Sequence, residues 1–154
     1  MTTTFDFNDG NGPVPAHKHP NGGGWVADTA KVEKTAYVGP YAMVYGNAMV
    51  CDNSMVCGDA KVCGDAKVFG DAMVFGDAIV FGDAMVYDNS KVFGDAMVFG
   101  DARVYDNVKV YGSATVFSDT CHRSSYRAEK SDTNEDIFIE MNGKRYKLVE
   151  VEKS

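Results

Sequence analysis

The sequence predicts an all-β protein, a three-sided parallel β-helix of about five coils. Valine recurs at every sixth position from Val26 to Val116, sixteen times without an insertion. Two residues before each of the last fifteen valines stands a small residue: twelve alanines, Ser54 and Ser90, with Val108 the one larger exception. Leucine occurs once, as Leu148, while Val, Ala, Gly, Asp, Phe and Tyr dominate, a bias toward strands rather than helices.

Each element follows from the repeat unit, Ala-x-Val-aromatic-Gly-Asp. In a strand the side chains alternate, so an inward valine places the alanine two residues earlier inward as well, and the residues flanking the valine point out. Gly-Asp, Asp-Asn or Gly-Asn then forms the corner, because these residues accept φ > 0 and an Asp or Asn side chain can bond the backbone of its own turn. The expected interior is a stack of valines and alanines with little room for a ligand. The chain of 154 residues divides into an N-terminal loop cap over 1–24, the repeat over 25–120, and a C-terminal linker with a hairpin over 121–154.

From Trp25 to Thr120 the pattern resembles the hexapeptide-repeat superfamily. The block HPNGGGWVADTA followed by AYVGPYAMVYGNA is similar to the lead-in of uncharacterised bacterial and phage members rather than to the acyltransferases. The resemblance implies a single-stranded left-handed parallel β-helix with three units per coil. Handedness rests on it alone, since the general rule for parallel crossovers gives the opposite hand. At about 4.8 Å per rung the column is about 25 Å tall.

Three units per coil stack residues eighteen apart into ladders on three faces. The first carries Tyr45, Cys63, Phe81, Phe99 and Phe117 beside Met43, Lys61, Ile79, Met97 and Thr115. The second carries Cys51, Phe69, Tyr87 and Tyr105 beside Lys31, Met49, Lys67, Met85 and Arg103. The third carries Cys57, Phe75, Phe93 and Tyr111 beside Tyr37, Met55, Met73, Lys91 and Lys109. So much outward aromatic and methionine surface needs cover. The first face reads as a subunit interface built from Met43, Tyr45, Ile79, Phe81, Met97, Phe99 and Phe117, and the resemblance implies a homotrimer. Lys67, Lys91, Arg103 and Lys109 are the candidates to meet a phosphate-bearing ligand. Corner rows Asp65, Asp83, Asp101, Asp119 and Asp59, Asp77, Asp95 either bind a cation or accept turn hydrogen bonds in water.

The ends are read separately. His17 and His19 alternate across one residue and, with Trp25, are candidate ligand contacts; a third metal ligand is not evident, so no metal is expected. Trp25 is placed as the lid beneath the valine stack. Cys121 to Asp136 is polar and reads as a short helix or loop over the top coil. Asn142-Gly143 separates two alternating runs and marks a hairpin pairing Ile137 with Leu148, Ile139 with Tyr146 and Glu140 with Arg145.

Function is bounded mainly by exclusion. The net charge is −7, and residues 25–120 hold 13 acidic and 7 basic side chains, so direct nucleic-acid binding is not expected. No run approaches a membrane span and no secretory signal opens the chain, which predicts a cytoplasmic location. Cys51, Cys57, Cys63 and Cys121 match no metal or redox spacing and read as reduced thiols. Coils without histidine exclude the three-histidine zinc site of the γ-class carbonic anhydrases, and ladders without threonine exclude ice binding. What remains is a non-catalytic oligomeric binding or structural protein, possibly of phage type in its resemblance, needing no cofactor and engaging a protein partner or a nucleotide-like ligand between columns. The alternatives are a CoA-dependent acyltransferase, for which His122 is the weak candidate base, and an acidic nucleic-acid mimic.

Overall fold

The structure, a computed structural model, describes residues 3–117, 120–121, 126–130, 137–141 and 144–148, with side chains described over 3–116. Strands β1 (Thr4–Phe5) and β2 (Val14–Lys18) precede the repeat. Every repeat unit then contributes one short strand, from β3 (Trp25–Ala27), β4 (Lys31–Val32) and β5 (Tyr37–Val38) up to β16 (Arg103–Val104), β17 (Lys109–Gly112) and β18 (Thr115–Phe117). The chain continues as β19 (Thr120–Cys121), β20 (Tyr126–Lys130), β21 (Ile137–Met141) and β22 (Lys144–Leu148). The fold is all-β, with no helix among the described residues, so none there is long and apolar enough to cross a membrane.

Parallel pairing joins residues eighteen apart: Val26 to Val44, Val44 to Val62, Val50 to Val68 and Val56 to Val74. Eighteen residues therefore close one coil, and the column is a parallel β-solenoid of about five turns with three sheets. The first sheet has eight strands, the second six and the third eight.

The interior is as the repeat dictates. Fifteen of the sixteen valines are buried, and only Val32 on the lowest rung is half-buried. The alanines two residues earlier are buried too, as are Ser54 and Ser90, whose hydroxyls donate to the carbonyls of Cys51 and Tyr87 at 2.7 Å. Val108 fits the same inward slot at 1% exposure. Nothing larger than valine enters the stack, so it is filled by close packing of small side chains.

From Gly46 upward each corner turns through one residue in the left-handed region: glycine at nine corners and aspartate at Asp52, Asp88 and Asp106. Two of these aspartates bond to the rung above as well as turning the chain. Asp52 Oδ2 accepts from the Gly70 amide at 3.0 Å and Asp88 Oδ2 from the Asp106 amide at 3.3 Å.

Both ends differ from the sequence reading. Residues 1–24 contain no six-residue period and were expected as loop, yet β1 and β2 extend the first sheet downward by two antiparallel strands. The free edge of the lowest rung explains this, since its downward amides and carbonyls need partners. Trp25 is not the lid of the valine stack: it points out of the first sheet, in line with Met43. The lid is His19, 3% exposed, with Asn21: His19 Nε2 donates to the Ala36 carbonyl at 2.8 Å and Asn21 Nδ2 to the same oxygen at 3.2 Å.

At the top, the segment read as helix or loop supplies β19 and β20. They pair in parallel with β16 and β17, at Arg103 with Thr120 and Val110 with Tyr126. Those spacings are seventeen and sixteen residues, so the frame slips where the valine period ends. Strands β21 and β22 pair Ile137 with Leu148, Ile139 with Tyr146 and Glu140 with Arg145, the register an Asn142-Gly143 turn demands. The hairpin adds to β20 as the edge of the third sheet. Asn142, Gly143, Asp119 and His122 lie outside the described residues.

Candidate functional site

A solid interior leaves the outer faces and the ends as the surfaces where a site can form. Each rung presents three outward positions in order: the corner residue, the residue before the valine, and the residue after it. On the rung of Val86 these are Asp83, Met85 and Tyr87.

The position after the valine builds rows of face-to-face rings. Phe69, Tyr87 and Tyr105 stack at 4.8 and 5.0 Å, Phe75, Phe93 and Tyr111 at 4.8 and 5.2 Å, and Phe81 on Phe99 at 4.8 Å, all within 8° of parallel. The strand spacing sets the ring spacing, and each ring hides the faces of its neighbours. These rings are consequently half-buried within one chain, and Tyr41 is the one large apolar side chain among the described residues that is fully exposed, at 75%.

At the base of the first face the chain covers its own ladder. The outward slot after Val26 holds Ala27, which leaves the lowest rung without a ring. Phe7 fills that vacancy from outside the repeat: it is 1% exposed and stacks on Tyr45 at 4.9 Å, the ladder spacing. Phe5 stacks on Trp25 at 4.5 Å, and the Lys18 ammonium lies 5.6 Å from the Trp25 ring centroid, a cation–π contact. Phe5, Trp25, Met43 and Tyr45 thus belong to a second apolar cluster around Phe7, Ala16 and Ala27. Sequence reasoning missed this arm; its signal was an alanine in an aromatic slot together with an unassigned Phe-Asp-Phe.

The other predicted residues fall into separate places. His17 is exposed, with Nδ1 2.8 Å from Asp28 Oδ1, while His19 is buried beneath the column. The two imidazoles do not converge, and no group of three potential metal ligands forms among the described residues. Lys67 and Arg103 line one open groove of about 470 Å³ on the second face, with Met85 between them, Met49 below Lys67, and Asn47, Asp65, Asp83 and Asp101 along its rim. Lys91 and Lys109 pair on the third sheet and do not join that groove. Met43 and Tyr45 lie under the arm, whereas Ile79, Phe81, Met97 and Phe99 form the upper part of the first face, beyond the arm's apolar cluster.

Cys51, Cys57 and Cys63 are free, one on each face. Burial pushes all three thiols up. Burial, followed by the neighbouring Cys63 thiol, pushes the Tyr45 hydroxyl well above its ordinary value. No family model, curated protein or solved structure matches this chain.

Proposed function

We propose that the protein is a non-catalytic self-associating scaffold, a left-handed member of the hexapeptide-repeat superfamily that assembles as a homotrimer through the first face and engages a protein partner on the faces left outside. One observation carries the reading. The chain spends an aromatic arm on the lower rungs of the first face, while Ile79, Phe81 and Met97, of the same character, stand above it outside the arm's apolar cluster. Lys61 marks the boundary between the two halves. Apolar side chains gathered above such a boundary suit a buried interface core.

The groove between Lys67 and Arg103 bears on the choice of partner. Three carboxylates, Asp65, Asp83 and Asp101, line it, so a phosphate entering toward the two cations meets like charge at every rung. That arrangement favours a polypeptide over a nucleotide. Both histidines with described side chains are committed to bonds that hold the base together, which favours a scaffold over acyl transfer.

Light scattering coupled to size exclusion tests the assembly. The expected mass is three times the 16.7 kDa chain, falling to one chain in Ile79→Lys/Met97→Lys. A wild-type monomer across the accessible concentration range refutes the proposal.

A further inference from the structure

The first-face ladder has a second vacancy. Read upward, its rings are Phe7, Tyr45, then Cys63, then Phe81 and Phe99. Cysteine also interrupts the other two faces at Cys51 and Cys57, but below those stand Glu33 and Gly39, so only Cys63 has a ring on both sides. Tyr45 and Phe81 are two rungs apart, about 9.6 Å, which is the separation of first and third rings in an unbroken ladder. A thiol ends far short of a ring, and no ring contact joins Tyr45 to Phe81 among the described residues. Phe7 and Tyr45 stand 21° from parallel, against 8° or less within the ladders, so the stack is least regular beside the gap.

We infer that this slot over Cys63 receives the ring of Tyr41 from a second copy of the chain, completing the ladder across the subunit boundary. Three observations select that occupant. Phe7 over Ala27 shows that this ladder accepts a ring delivered by a segment outside the stack. Tyr41 is the exposed large apolar side chain, and Pro40 before it fixes the backbone of its corner. Its height is within reach as well: Tyr41 turns the chain into the strand of Met43, one rung or about 4.8 Å below Lys61 and Cys63, a rise shorter than a tyrosine side chain.

The contact forms only between copies. Tyr41 lies in the turn before the strand Met43–Val44 and Tyr45 follows it, up to about 13 Å along the chain, so a chain's own Tyr41 stands at the opposite edge of the face from the slot above Tyr45. Parallel columns around a three-fold axis meet at equal heights, with a corner of one against the face of the next. Such a head-to-tail contact closes into a ring when the rotation is 120°. The inference rests on the proposed self-association through the first face and adds the residue each copy contributes to its neighbour.

The experiment places p-azidophenylalanine at Tyr41, which keeps the ring, in an equal mixture of isotopically light and heavy chains. Photolysis is expected to give light–heavy cross-links from position 41 to the peptides holding Tyr45, Cys63 or Phe81. Tyr41→Ala is expected to raise the trimer's dissociation concentration on the order of tenfold or more, and Tyr41→Phe to leave it within about twofold. Cys63→Phe fills the slot from within, and is expected to disrupt the trimer while the melting temperature of the monomer holds or rises. Trimers that cross-link elsewhere, or that tolerate both Tyr41→Ala and Cys63→Phe, overturn this inference alone. A monomeric wild type overturns it together with the self-association on which it rests.

Discussion

Replacing Gly76 tests what the corners require, because the native chain supplies its own control. Gly76 turns with φ = 70°, and a Cβ there would meet the Gly94 amide nitrogen at 3.0 Å and its carbonyl oxygen at 3.2 Å. A non-glycine residue in the left-handed region costs roughly 1–2 kcal/mol, and the backbone above cannot retreat without disturbing the rung. Gly76→Ala should therefore destabilise the protein by about 2 kcal/mol. Aspartate, though larger, should be milder. Asp52, Asp88 and Asp106 hold the corresponding corner with φ of 58°, 58° and 61°, and the carboxylates of Asp52 and Asp88 accept the amide of the next rung. Such a bond returns about 1 kcal/mol in Gly76→Asp. For a chain of this size, thermal melts followed by circular dichroism should show a drop of about 4–8 °C for alanine and about half that for aspartate. Moderate salt should be present to screen Asp59, Asp77 and Asp95. If Gly76→Asp proves as damaging as Gly76→Ala, the rung-to-rung hydrogen bond is not what permits a side chain at the corner.

Three further outcomes follow from the packing. Val80→Ala should cost about 2–3 kcal/mol in urea unfolding, the loss of two buried methyl groups plus a cavity that its neighbours cannot close; Val32→Ala, on the half-buried lowest rung, should cost less than half as much. Phe7→Ala should free the arm without melting the column, seen as lost hydrogen-exchange protection at the Ala16 amide, which donates to Thr3, and as proteolysis near Gly10 and Gly12. Alkylation of Cys51, Cys57 and Cys63 should be slower than that of a free thiol at pH 8 and should climb as the pH passes the ordinary thiol range, since burial holds each proton on; pH-independent rates contradict this.

The column was legible because one residue decides each part of it. Valine every sixth position fixes what points inward, and that same frame assigned Phe69, Tyr87, Phe75, Phe93, Phe81, Lys67 and Lys91 to the sheets that carry them. The base and top were less so, because their structure answers a demand the sequence does not display, namely partners for the open groups of the first and last rungs. His19 illustrates the limit. In sequence it is one of two alternating histidines, a pattern that suggests a shared ligand, yet its task is to donate a hydrogen bond to the Ala36 carbonyl under the coil. Trp25 illustrates another: its size suggested a lid, but it stands one residue before the inward Val26 and pairs with Met43, and so points outward.

The distribution of caps bears on how copies meet. The first sheet is extended at the bottom by β1 and β2, and the third is covered below by the turn at Asn21, which bonds Val38, and extended at the top by β20 to β22. The second sheet alone ends below on a bare repeat strand, β4, two residues long. Lys31, Glu33 and Lys34 on and beside that strand are all exposed, the charged flanks by which proteins discourage pairing at an open edge. Stacking of columns end on end would have to desolvate these charges for a strand too short to offer more than a few backbone hydrogen bonds. The physical balance thus disfavours growth along the axis and favours association through the sides, where the exposed ring of Tyr41 and the uncovered rungs of Ile79 and Met97 lie.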